Sequence, residues 1–214
     1  MTLRTLWAAA LLALPLAAMA EDTASWANWT SSTQGTLVQN GDVIDVTYSG
    51  SAFSMSKSGF YYDVPSSFTS ATITNTPGTN GTFLISGGNA TVHTFSFSQA
   101  VINPVIAVFS VGQLGVPVRF VFETDQFSVT SATANGHWGG GTLTQSANVI
   151  TGREGNGLLE FQGTYTSISF TTPDYEYYYG AAIGAPLAAV PEPATLALAM
   201  GGVLVVAWRR QRTA

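Results

Sequence analysis

Every second residue from Val116 to Phe122 is large and apolar: Val116, Val118, Phe120 and Phe122 alternate with Pro117, Arg119, Val121 and Glu123. A β-strand turns successive side chains to opposite faces, so a period of two suits a half-buried strand and suits no α-helix. The pattern recurs. Ile44, Val46 and Tyr48 share one face of residues 43–48, and His93, Phe95 and Phe97 share one face of residues 91–98. Residues 104–111 are instead continuously apolar, as expected of a central strand covered on both sides. Residues 59–64, 82–86, 158–162, 164–170 and 175–183, together with Phe127 and Val129, also have strand character. Gly, Asn, Ser and Pro break the runs at roughly eight- to twelve-residue intervals, and no amphipathic helix of about three turns is present. The expectation is an all-β domain of about ten strands linked by sequential hairpins, a two-sheet, jelly-roll-like β-sandwich.

Composition narrows what such a domain can do. The chain has no cysteine, so disulfides, thiol chemistry and Cys-bound metal are excluded and stability must come from packing and hydrogen bonds. Charged residues make up 9% of the chain. Between residues 21 and 189 three cations (Lys57, Arg119, Arg153) face eleven acids, a net of −8. That balance opposes nucleic acid and anionic lipid headgroups, both of which require clustered cations.

The two ends read differently from the middle. Arg4, an apolar run over residues 6–16 and Ala18-Met19-Ala20 form the basic, hydrophobic and small-residue parts of a secretory signal peptide, residues 1–20, cut after Ala20. At the other end, Pro191-Glu192-Pro193 precedes residues 194–208, which carry no charge, and then Arg209, Arg210 and Arg212. Fifteen helical residues span about 22 Å, short of a ~30 Å hydrocarbon core. Trp208 suits the membrane interface, and the arginines beyond it resist translocation and stay cytoplasmic. The two prolines keep the preceding segment extended. An ordinary single-pass anchor and a buried apolar helix are the plainer readings of the same stretch.

Pro191-Glu192-Pro193, a short apolar helix and a terminal arginine cluster, in that order, resemble the PEP-CTERM sorting signal of Gram-negative exported proteins. The resemblance implies that residues 190–214 are recognised by an exosortase, a membrane-embedded cysteine protease that cuts near the motif. It implies transient residence in the inner membrane, then delivery to the cell surface or extracellular polysaccharide. The Sec translocon and signal peptidase would act first. Pro191, Glu192 and Pro193 are then recognition residues for another enzyme. Residues 103–185, with Asn103-Pro104, His137-Trp138-Gly139-Gly140-Gly141, Gly152-Arg153-Glu154-Gly155-Asn156-Gly157 and Tyr177-Tyr178-Tyr179-Gly180, also resemble the uncharacterised β-rich body of such proteins, which implies the fold and no activity.

Catalytic constellations are sparse. The candidate carboxylate pairs are Asp42/Asp45, Glu123/Asp125 and Asp174/Glu176; the last would share one face of a strand. Each is equally a solvated pair, or a source of oxygens for Ca²⁺, although no EF-hand-type loop exists. His93 lies on a phenylalanine face, as a core histidine would. His137 stands beside Trp138 in a glycine-rich loop. Two histidines without cysteine are a poor basis for zinc. No serine occupies a nucleophile elbow, and the glycine runs precede no helix, so neither a phosphate loop nor a dinucleotide fingerprint is present. No cofactor is expected.

Aromatic residues offer the better binding candidates. Trp138 with His137, and Tyr175, Tyr177 and Tyr179, present flat rings beside carboxylates and amides, as sugar recognition requires. The competing reading has alternate tyrosines lining the core and Trp138 plugging its end. Trp26 and Trp29 pose the same choice between stacking surface and core. The sequence therefore predicts an exported, non-enzymatic surface or matrix protein with a structural or adhesive role. A carbohydrate-binding module is the alternative, and a glycoside hydrolase or lyase a more distant one.

Overall fold

The computed structural model describes residues 23–131, 140–177 and 179–187. Strands are numbered along the chain. One sheet runs β10 (Phe127–Thr130), β13 (Gly155–Phe161), β8 (Val105–Val111), β15 (Tyr179–Pro186), β6 (Thr82–Ile85), β5 (Ala52–Ser56), with β1 (Ala24–Trp26) also paired to β15. The other runs β11 (Leu143–Ser146), β12 (Val149–Gly152), β9 (Val118–Phe122), β14 (Thr164–Thr171), β7 (Val92–Ile102), β4 (Asp42–Ser49), β3 (Gln34–Gln39), β2 (Asn28–Trp29). The strand pairings are antiparallel. The all-β expectation holds, and the two sheets close on a shared core.

Alternation decides which face goes inward. In β4, Ile44, Val46 and Tyr48 are buried while Val43, Asp45 and Thr47 are exposed; in β7, His93, Phe95 and Phe97 are buried. Their rings meet residues from the opposite sheet: Tyr48 stacks on Phe83 at 4.0 Å, and Trp29 meets Phe83 edge-on at 4.6 Å. Each such side chain removed from water contributes about 1.5–3 kcal/mol. Trp26 and Trp29 are 4% and 1% exposed, so both serve the core.

A second apolar layer covers the outer face of the β8/β15 sheet. Tyr62, Phe68 and Ile73 pack there against Phe109, Leu158 and Ala182. This explains why every residue of β8 is buried. Residues 59–64 do not form the expected strand. Gly59–Tyr62 is a 3-10 turn whose Phe60 N–H donates to Ser58 Oγ. Tyr61 stacks on Phe109 at 4.8 Å, so ring packing rather than ladder pairing places the segment.

Three further expectations need correction. Among the described residues, consecutive strands pair as hairpins only at β2–β3, β3–β4, β5–β6 and β11–β12; from β7 through β10, and from β13 to β15, the chain crosses between sheets at every step. Strand β9 begins at Val118, because Val116 closes a tight turn with Gln113 through two backbone bonds of 2.9 and 3.0 Å. Strand β15 begins at Tyr179, four residues later than the sequence pattern suggested.

This topology gives the sandwich two ends. At one, β15 finishes and β1 begins, beside the β3–β4 turn, Asn103 and Gly163. At the other lie Gly50, residues 87–91, residues 112–117 and residues 172–177. Among the described residues no helix is long and apolar enough to cross a membrane. Residues 1–20 and 190–214, including the helix expected over 194–208, lie outside the described residues.

Candidate functional site

The loop between β14 and β15 is pinned from three directions. Asp174 accepts from Arg119 three times: from N (3.0 Å), Nε (2.7 Å) and Nη2 (2.8 Å). Gly87 N–H donates to Glu176 O (3.1 Å) and Gly88 N–H to Thr172 O (2.9 Å). Gly87 is required here: a Cβ would overlap the Asp174 carbonyl and come within 2.8 Å of the Tyr179 hydroxyl. Glu176 turns inward and is 5% exposed, with Oε1 accepting from Gln113 Nε2 at 3.3 Å and from Tyr177 N–H at 3.1 Å. Burial outweighs those bonds and holds its carboxyl above the usual carboxylate range, whereas hydrogen bonding from Arg119 holds Asp174 below it.

With Glu176 inside, its neighbours stand out. Tyr175 is 71% exposed and Tyr177 72%. The Gln113–Glu176 bond brings up the loop that carries Leu114, 90% exposed, and Val116. The result is an amphipathic, preorganised patch of phenol and alkyl groups on a rigid end of the sandwich. Preorganisation lowers the ordering cost of binding. Arg119, the cation beside it, is already engaged by Asp174.

Tyr179, grouped with these tyrosines by the sequence pattern, belongs to the core instead. It is fully buried against Phe120 at 4.8 Å, because it is the first residue of a strand paired on both sides, so its ring is closed to ligands. His137 and Trp138 lie outside the described residues. The flanks of their segment are anchored at this same end: Leu143 N–H donates to Ser131 Oγ at 2.9 Å, and Gly141 N–H to Glu154 O at 3.0 Å.

Beneath the patch is a buried polar cluster. His93 Nδ1 and the Tyr48 hydroxyl share a 2.7 Å hydrogen bond. His93 Nε2, Thr172 Oγ1, Glu176 Oε2 and Tyr179 OH are buried without a hydrogen-bond partner; among the described residues only Trp29 Nε1 joins them. The nearby Thr172 hydroxyl opposes part of the rise in the Tyr179 pKa, although the two do not meet hydrogen-bond geometry. Burial lowers the His93 pKa to about 4 and raises Tyr48 and Tyr179 far above the phenol range. His93 is thus the core histidine its phenylalanine neighbours suggested.

The carboxylate pairs do not assemble an acid–base site. Asp42, Glu123 and Asp125 are exposed at the opposite end, Asp45 is exposed on β4, and Asp174 is neutralised by Arg119. No group of three His, Cys, Asp or Glu able to hold a metal exists among the described residues.

Sequence reasoning missed a cleft of about 490 Å³ lined by Ser32, Thr33, Tyr48, Gly50, Phe53 and Ser54, among others. Gly50 at its edge has no room for a side chain: at φ +149° a Cβ would lie 2.6 Å from His93 Nδ1 and 2.8 Å from the Tyr48 hydroxyl. The available signal was Ser49-Gly50-Ser51 directly after an alternating strand.

Fold and patch together define an all-β sandwich with exposed aromatic and aliphatic side chains at one end. The tail is more specific. Residues 189–211 match the family model of the PEP-CTERM protein-sorting motif. The match takes in Pro191, Glu192, Pro193, Arg209 and Arg210 and ends one residue before Arg212. The chain therefore carries the sorting motif of exosortase substrates, which implies exosortase processing and membrane-anchored transit toward the cell surface. The match covers the tail and not the sandwich. No curated protein and no solved structure matches the chain.

Proposed function

We propose that this chain is a surface or extracellular-matrix protein of a Gram-negative bacterium whose sandwich has a structural or adhesive, non-enzymatic role. A signal peptide over residues 1–20 routes it through the Sec translocon and signal peptidase. The tail then holds it in the inner membrane until an exosortase cuts near Pro191-Glu192-Pro193. The observation that carries this reading is the sorting motif at residues 189–211, starting two residues after the last described residue of the sandwich. Changing Pro191 and Pro193 tests it: the precursor should accumulate in the membrane fraction. Unchanged processing and location would defeat it.

A second reading, a carbohydrate-binding module, is favoured by the exposure of Tyr175 and Tyr177 on a pinned loop. Phenol rings stack on the C–H faces of sugars, and the sandwich's acidity directs the choice to neutral rather than anionic glycans. Glycan-array binding that is lost in Tyr175→Ala/Tyr177→Ala supports this reading, and an array without hits removes it.

A further inference from the structure

Both ends of the described sandwich are fastened at one corner. β6 pairs with the first residues of β15 and β1 with the last, so the first strand of the domain completes the edge that β6 leaves open. Leu187 N–H donates to Thr23 O at 2.8 Å, and Ala27 N–H to Ile183 O at 2.9 Å. Asn75 grips Ala24 twice, with Oδ1 accepting from its N–H (2.7 Å) and Nδ2 donating to its carbonyl (2.9 Å). Gln39 Nε2 donates to Pro186 O (3.1 Å) and Ile102 O (2.8 Å), tying the same corner to the second sheet. Residues 179–185 are all buried. The chain cannot pay out upstream of Leu187 without tearing an interior strand from its neighbours.

The uncharged run of the tail begins at Ala194. From Leu187 to Ala194 the chain can reach at most about 25 Å. The sandwich itself is about 25 Å or more from this corner to the opposite end, as eight-residue β14 alone requires at ~3.3 Å per residue. A stalk no longer than its load cannot let the load turn over. The net acidity of the sandwich also opposes lying flat on anionic lipid.

We infer that the uncut protein stands end-on at the membrane, with the β1–β15 corner and the β3–β4 turn facing the bilayer that holds its own residues 194–208. The loops bearing Leu114, Tyr175 and Tyr177 point away from it. This rests on the tail acting as a membrane anchor. An exosortase must then reach a stalk crowded by the folded corner, while the aromatic end is already presented outward.

The cysteine-free chain permits a clean test. The full-length protein is made in a bacterium without an exosortase, and spheroplasts are treated with a bulky, membrane-impermeant maleimide. Leu114→Cys should label about tenfold faster than Asp42→Cys, because access concentrates at outward loop tips. The two should label alike once the protein is solubilised in detergent. Val92→Cys and Asp125→Cys repeat the comparison at independent positions, covering the case where one variant misfolds. Equal rates on spheroplasts overturn the end-on orientation alone. A chain found soluble in the periplasm overturns the anchor reading and this inference together.

Discussion

The hydroxyl of Tyr48 lies 2.7 Å from Nδ1 of His93, and the pair sits between the sheets with His93 fully buried. The bond supplies one partner for the imidazole, but Nε2 has none. A charged His93 would leave a donor unpaired in the core, so burial favours the neutral ring.

The consequence is acid sensitivity. The folded pKa of about 4 lies below the ordinary 6.5, so the unfolded chain binds this proton more readily. Stability is complete above about pH 6.5 and falls as pH drops toward 4, by about 3 kcal/mol in all. Urea unfolding midpoints across this window measure it, and His93→Phe should flatten the slope. A wild-type midpoint that stays constant from pH 7 to 4 would contradict the assignment.

Glu176 works in the opposite direction. Its folded pKa is raised, so its stability is complete below the ordinary 4.5 and is lost as pH rises through the elevated folded value. Glu176→Gln keeps an acceptor for Gln113 and Tyr177 without a buried charge. It should stabilise the domain at neutral pH by about 1 kcal/mol, read from the same unfolding curves. A destabilised variant would show that the carboxylate is needed in its charged form.

Gly180 faces the ring of Phe109 with no space for a methyl group. Both residues belong to central strands in register, Gly180 opposite Phe109. Gly180→Ala should cost about 1–3 kcal/mol through overpacking. Pairing it with Phe109→Leu should recover part of that loss, which a double-mutant cycle in urea detects. Additive losses would mean that the ring moves aside freely.

Tyr175→Ala/Tyr177→Ala should leave the unfolding midpoint unchanged within about 0.5 kcal/mol, as both rings are exposed. If the patch binds neutral glycan, the same variant should weaken binding about tenfold or more. Urea unfolding checks the first point and isothermal titration with soluble neutral polysaccharide the second, on one preparation.

The sheet order was beyond sequence reasoning because alternation marks faces and not neighbours. Ile44, Val46, Phe95 and Phe97 were assignable to the core from spacing alone, and residues 104–111 to a strand covered on both sides. That β15 lies between β8 and β6 depends on contacts far apart in the chain, which no local pattern encodes. Tyr175, Tyr177 and Tyr179 share a period of two, yet only Tyr179 is in a strand. The difference comes from Arg119, distant in sequence, which captures Asp174 and ends the ladder. The sorting motif was legible because its parts are contiguous and act as linear peptide. The cleft was not, because Ser32 and Thr33 meet Tyr48, Phe53 and Phe83 there only through the tertiary fold.

A removable tail leaves its mark on the mature protein. Mass spectrometry of the mature exported protein tests this directly. The expected product begins at Glu21 and yields no peptide from Leu196 onward. Peptides covering residues 196–214 still joined to the exported sandwich would contradict it.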